Sequence, residues 1–153
     1  MTIKIIDYEP EYAVYFEKIN KAWLEEYFTI EPIDKYVLEN PKVAILDQGG
    51  EILFAKMEDR VVGTAALRLV ESGIYELTKM GVENDVRGQG VGKILCTAAI
   101  EKARDKGAKK IVLYSNRMLV NAIHIYLKIG FLEVPLDAVY KRSDIKMELS
   151  LVR

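Results

Sequence analysis

The chain is poor in the residues that build cross-links and metal centres. It has one cysteine, Cys96, and one histidine, His124. A lone cysteine excludes an internal disulfide and argues against a cysteine-based zinc site. A lone histidine argues against a His-rich metal site, so no metal is expected. An excess of one charge sign is also missing: 22 Lys and Arg oppose 23 Asp and Glu, for a formal net charge of −1. General nucleic-acid binders carry a large basic excess, so that class is set aside. No apolar stretch nears the roughly 20 residues that span a bilayer, so no membrane partner is expected. Lys4, Asp7 and Glu9 interrupt the opening segment, so no signal peptide is read there and a cytoplasmic location is expected. Prolines are few, and Pro10, Pro32, Pro41 and Pro135 all fall at expected element boundaries.

What is present suits one folded domain over residues 1–153. The composition is 50% hydrophobic, 29% charged and 9% aromatic, with no repeat, low-complexity run or linker. A chain of this size buries about 70% of its unfolded surface and needs no staples.

The first half reads as a strand, two helices and three strands. Residues 2–7 form the opening strand. Tyr12, Phe16, Ile19, Trp23 and Tyr27 then recur at helical spacing, giving an amphipathic helix of about 18 residues. A short helix over 32–39 starts at Pro32 and stops before Pro41. Turns at Gln48-Gly49-Gly50, Glu58-Asp59 and Ser72-Gly73 separate strands over 51–57, 60–70 and 74–82, whose short links predict an antiparallel meander. The second half alternates: a helix over 90–106 stopped by Gly107, a strand over 110–115, a helix over 119–129 stopped by Gly130, and strands over 131–134 and 145–151. That alternation requires at least one parallel crossover. The order is β-α-α-β-β-β-α-β-α-β-β, a mixed α+β (α/β) domain.

The most informative segment is Arg87-Gly88-Gln89-Gly90-Val91-Gly92-Lys93, between a strand and a helix. Glycines let a backbone curl tightly around a ligand, and a helix start adds unpaired N–H groups and positive potential. The segment suits a phosphate or pyrophosphate. A Walker A loop would need glycine at Arg87 and Ser or Thr at Ile94, so it fails twice. A dinucleotide GxGxxG would need a small residue at Lys93 or Leu95, and fails as well. Arg87, Gly90 and Gly92 do fit a third pattern: Arg or Gln, two residues, Gly, one residue, Gly or Ala. A turn that merely joins strand to helix is the plain alternative.

Downstream, Asn121-Ala122-Ile123-His124-Ile125-Tyr126-Leu127-Lys128-Ile129-Gly130-Phe131 supplies an Asn, Ala, Tyr, Gly-Phe series at a fitting distance. With both motifs in order, the chain resembles the GCN5-related N-acetyltransferase (GNAT) superfamily. Asn84 stands where that family often has proline. The runs from Leu113 to Phe131 and from Ser143 to Glu148 are similar to the acetyltransferase part of bacterial proteins fused to MarR-type regulators. The resemblance implies a central, mostly antiparallel mixed sheet of about seven strands flanked by about four helices.

It also implies acetyl-coenzyme A as donor, a primary amine of a small molecule, peptide or protein as acceptor, and direct attack in a ternary complex. The cradle would be Arg87, Gly88, Gln89, Gly90, Val91, Gly92 and Lys93, with Asn121 contacting the cofactor. The Met80 N–H would face the acetyl carbonyl, and the backbone at Gly81 and Val82 would pair with pantetheine. Tyr126 would be general acid to the departing thiolate, where periodicity alone reads a buried structural tyrosine. A non-catalytic acyl-coenzyme A sensor is the alternative function. The family also admits homodimers, although no interface is legible.

Several residues carry weaker expectations. In a regular strand Ile74, Glu76, Thr78, Met80 and Val82 share one face, and the resemblance implies a carboxylate or an ordered water there, so Glu76 is a candidate base, directly or through water, with a glutamate that faces solvent or pairs with a lysine as the plain alternative. Gly81 suggests a bulge or a close backbone approach. The helix over 119–129 is apolar nearly all round and reads as deeply placed. Ser115 and Asn116 end a strand near the expected site. Cys96 reads as a small core residue and His124 has no role. Trp23, Tyr27, Phe28, Glu31 and Tyr36 would form the acceptor wall, a mixture that suits an organic cation or, more plainly, an amphipathic core face.

Overall fold

The computed structural model describes residues 2–137 and 140–152. Seven strands occur among them: β1 (Ile3–Asp7), β2 (Glu51–Met57), β3 (Arg60–Glu71), β4 (Ile74–Val82), β5 (Lys110–Ser115), β6 (Leu132–Val134) and β7 (Ile145–Ser150). The helices are α1 (Ala13–Tyr27), α2 (Pro32–Glu39), α3 (Pro41–Ala44), α4 (Val91–Asp105) and α5 (Val120–Ile129). One sheet contains all seven strands in the order β1-β2-β3-β4-β5-β7-β6. Every neighbouring pair is antiparallel except β4 and β5. The parallel pair is the one bridged by the α4 crossover.

The sheet is covered on both faces, and its strand sequences reflect this. Along β2, Leu53, Ala55 and Met57 join a core with Leu95, Cys96 and Ala99 of α4. The intervening Ile52 and Phe54 join a second core with Phe16, Ile19 and Leu24 of α1 and Leu38 of α2. An apolar side chain is therefore wanted at nearly every position, and β2 reads as a continuous apolar run. Each large side chain so buried contributes about 1.5–3 kcal/mol relative to exposure.

Three elements depart from expectation. The segment after Asn40 is ordered, with the single turn α3 and a 3₁₀ turn over Leu46–Gln48. Four helices were expected, and α3 is the fifth. The helix α5 is not deeply placed: Tyr126 is its buried residue, while Val120 and Leu127 are 67% and 52% exposed. Its apolar composition serves a cavity wall more than a core. None of the described helices is long and apolar enough to cross a membrane.

The third departure lies in β4. Thr64 of β3 faces Gly81 and Ala66 faces Thr78, so Lys79 and Met80 together oppose Ala65. This is a β-bulge, and Lys79 takes up the extra residue in a left-handed conformation at φ 51°. The bulge resets the alternation of faces. Met80 and Val82 pack against the α4 core, together with Leu77. Gly81 instead faces Trp23 and Ile19 of α1. The regular-strand expectation that Glu76 and Met80 share a face is thereby corrected.

Candidate functional site

The strands β4 and β5 pair through Ile74–Lys110, Tyr75–Ile111 and Glu76–Val112, and through no later residue. From Leu77 and Leu113 onward they part. The gap belongs to a cavity of about 770 Å³. Its walls include residues 77–82 of β4, residues 113–116 on and after β5, and the start of α5 at Val120, Asn121, Ala122, Ile125 and Tyr126. Two parallel strands that separate leave main-chain groups facing the opening, which in a closed sheet would pair with each other.

The glycine turn forms the mouth of this cavity. Gly88 and Gly90 have φ of 83° and 85°, a region that disfavours other residues. A β-carbon at either would have nothing within 4 Å, so the turn bounds open space. Gly90 is the N-cap of α4, and no side chain caps the helix. Its O accepts from the Ile94 N–H at 3.1 Å, the first bond of the helix. The N–H groups of Val91, Gly92 and Lys93 precede that bond and have no intrahelical acceptor. This set of donors, at the positive end of a 15-residue helix, fits a pyrophosphate. Upstream, Arg60 forks onto Asp85 at 2.8 and 2.7 Å and ties the β2–β3 turn to the 3₁₀ turn Asn84–Val86 before the glycines.

The expected cofactor residues distribute unevenly. Met80, Gly81, Val82, Arg87, Gly88, Gly90, Val91, Gly92, Lys93 and Asn121 all line the cavity. Gln89 does not; it lines a separate groove with Met57 and Arg60. The Arg87 guanidinium leans toward α1, 3.3 Å from Glu26 Oε2 and 3.4 Å from the Tyr27 hydroxyl. Asn121 lies one residue inside α5, whose N-cap is Leu119, so it is no helix cap. Ser115 and Asn116 line the cavity, and Asn116 Nδ2 donates to the Arg142 O at 2.8 Å.

Tyr126 reaches the cavity from α5 while only 8% of it is exposed. Its ring meets Phe131 edge to face at 5.8 Å. Among the described residues its hydroxyl has no hydrogen-bond partner. Burial raises its pKa above the usual phenol range, so it remains a neutral proton donor. Cys96 is fully buried, and burial pushes its thiol up to about 12.

Glu76 is in a different situation. It is 1% exposed and does not line the cavity. Its Oε1 accepts from Arg68 Nε at 2.8 Å and its Oε2 from the Tyr140 hydroxyl at 2.9 Å. A carboxyl group held by a cation and a phenol, outside the cavity lining, has no open line to an acceptor amine. Direct proton abstraction by Glu76, a sequence expectation, is corrected accordingly.

A charged cluster, of which only Glu31 was expected, lies against the cavity. Lys79, buried on the bulge, donates from Nζ to Asp34 Oδ1 at 2.8 Å. Arg142 forks onto the same carboxylate, Nη1 to Oδ2 at 2.6 Å and Nη2 to Oδ1 at 2.9 Å, and also donates to Glu31 Oε2 at 3.1 Å. The Glu31 N–H completes Asp34 at 2.9 Å from Oδ2, as in the N-terminal half of a capping box. Lys79 Nζ and Arg142 Cζ each lie 4.8 Å from the centroid of the Tyr140 ring. Burial alone would raise the pKa of Asp34; hydrogen bonds from Arg142 and the charge of Lys79 outweigh it and hold that pKa below the usual carboxylate value. Burial lowers that of Lys79, against the pull of Asp34.

Of the expected acceptor wall, Trp23, Tyr27 and Phe28 line the cavity, and Glu31 and Tyr36 do not. Lys79, Tyr140 and Arg142 line it instead. The one advance sign was Lys79, a lysine inside a strand two residues before Gly81.

Comparison with known proteins is concordant. The family profile described as Acetyltransferase (GNAT) family matches residues 13–131. A mycothiol acetyltransferase of Saccharomonospora viridis is 29% identical over 118 residues, which cover 72% of this chain and 39% of the relative. The chain spans 36% to 43% of the length of three curated relatives that it matches. A GNAT-family acetyltransferase structure from Staphylococcus aureus superposes with a TM-score of 0.88 at 22% identity, over 99% of this chain and 100% of that one. PaiA N-acetyltransferase of Thermoplasma acidophilum, solved in complex with coenzyme A, gives 0.77 at 21% identity, over 98% and 99%.

Proposed function

The chain belongs to the acetyltransferase (GNAT) family, and we propose that it moves an acetyl group from acetyl-coenzyme A to a primary amine by direct attack in a ternary complex. The observation that carries this reading is the opening between β4 and β5, with a glycine turn at its mouth and Tyr126 on its wall, the hydroxyl unpaired among the described residues. The donor supplies a thioester, activated toward an amine nucleophile.

The residues divide the remaining work. The N–H groups of Val91, Gly92 and Lys93 bind the pyrophosphate, with Arg87 and Lys93 adding charge at the mouth. The unpaired edge of β4 at Gly81 and Val82 hydrogen-bonds pantetheine and fixes its depth. The Met80 N–H stabilises the negative charge that develops on the acetyl oxygen, an effect strengthened where water is excluded. Tyr126 gives its proton to the departing sulfur. The amine attacks in its neutral form; as its nitrogen bonds the acetyl carbon and the carbon–sulfur bond breaks, its proton passes to water, because Glu76 stands outside the cavity lining and accepts instead from the Tyr140 hydroxyl.

The test is free-thiol release from acetyl-coenzyme A with a broad amine panel. Thiol should appear only when an accepted amine is present. Tight cofactor binding with no turnover on any amine would instead favour a non-catalytic acyl-coenzyme A sensor.

A further inference from the structure

The cavity lining contains cations and no carboxylate. Lys79, Arg87, Lys93 and Arg142 contribute to it, and none of its described residues is Asp or Glu. Arg87 and Lys93 belong to the glycine turn at the mouth. Lys79 and Arg142 stand elsewhere, one on β4 directly before Met80 and the other just before β7.

We infer that the acceptor is an amine that also carries a carboxylate, an amino-acid-type substrate whose anion is held by Arg142 and Lys79. This rests on the acetyltransfer reading and gives its acceptor a chemical class.

Donor capacity supports it. A guanidinium has five N–H groups, and Arg142 spends three on Asp34 and Glu31. Lys79 has three and spends one on Asp34. Both retain donors while lining the cavity. Asp34 has no capacity left, since its oxygens accept four bonds. Asp34 and Glu31 therefore act from outside the lining: they offset the cost of burying two cations and fix the Arg142 fork, a planar group suited to a carboxylate.

The same arrangement works against purely cationic acceptors. A diamine or an amino-acid amide would bring no anion to the spare Arg142 and Lys79 donors and leave them unmet. The aromatic wall favours an apolar side chain on the acceptor: Trp23 and Phe28 meet edge to face at 6.3 Å, and Tyr114 and Tyr140 at 5.9 Å.

The experiment compares matched acceptors on the wild-type protein: phenylalanine, phenylalaninamide and phenethylamine, then alanine and alaninamide, then putrescine. Hydrogen bonds to a charged group are worth about 1.5–3 kcal/mol, so kcat/KM should favour each free acid over its amide by about 10- to 100-fold. R142Q should raise KM for the acid by about tenfold or more beyond whatever it does to the amide, a split that general loss of structure would not give. Calorimetry with N-acetylphenylalanine in the presence of coenzyme A should show binding that R142Q weakens. Amides or putrescine accepted as well as the acids would overturn the inference and leave acetyltransfer standing. No thiol release from any amine would overturn both.

Discussion

Gly81 leaves no room for a β-carbon because Trp23 stands against it: a carbon there would lie 2.7 Å from Trp23 Cδ1 and 3.0 Å from Ile19 Cγ2. The backbone of the strand that lines the cavity lies directly against side chains of α1. G81A must displace the Trp23 side chain, move α1 or twist β4, and overpacking of this kind costs about 1–3 kcal/mol. Thermal denaturation should show a Tm lowered by about 2–4 °C per kcal/mol. Trp23 is the one tryptophan of the chain, so its emission should shift in the same variant.

Tyr126 carries the chemical prediction. Y126F keeps the ring and its contact with Phe131 but removes the proton. General-acid contributions run to about 10²–10⁴-fold, so kcat should fall by about a hundredfold while acetyl-coenzyme A binding, measured by calorimetry, stays near wild type. Unchanged turnover would remove Tyr126 from the mechanism.

The cradle can be tested apart from catalysis. Gly90 sits at φ 85° with open space beyond it. G90A puts a side chain in a left-handed conformation, at a cost of about 1–2 kcal/mol. It also places a methyl group where the pyrophosphate would approach. Coenzyme A affinity should drop by about tenfold or more, a loss of about 1.4 kcal/mol, in titration calorimetry of protein still folded by circular dichroism.

The Asp34 cluster predicts an acid dependence with a definite sign. The folded-state pKa of Asp34 lies below its unfolded value of about 3.9. Its ionised form therefore stabilises the fold fully above that unfolded value, and the contribution is lost as pH falls through the lower folded pKa. D34N leaves Lys79 and Arg142 without their shared anion. Breaking a buried pair costs about 3–5 kcal/mol, so urea denaturation at pH 7 should show a loss of that order. The difference between variant and wild type should shrink below pH 4.

Cys96 gives a negative control for mechanism. Its thiol is buried and pushed up to about 12. A thiol reagent should find no reactive group in the native protein and one after denaturation, and C96A should retain turnover.

The legible and illegible parts of the molecule differ in sequence range. The meander, the α4 crossover and the glycine turn rest on short patterns, and each appears within a residue or two of its expected limits. The bulge was only half legible: Gly81 signalled irregularity, but the residue with positive φ is Lys79, and that displacement sends Met80 to the face opposite Glu76. The reading of α5 failed because periodicity reports apolar surroundings without distinguishing core from cavity. The acceptor cluster left almost no trace. Asp34 meets Lys79 across 45 residues and Arg142 across 108. Each alone reads as a solvated charge, and only tertiary folding makes them one group.

The three-rung junction between β4 and β5 also has a mechanical consequence. The two strands are joined to each other at one end and parted at the other, where each stays paired only with its outer neighbour, β3 or β7, so Ile74–Lys110, Tyr75–Ile111 and Glu76–Val112 act as a pivot. The aperture can change by a small twist at that pivot, without breaking a rung. Amides at the pivot should exchange slowly with solvent deuterium, and those that face the opening beyond it faster.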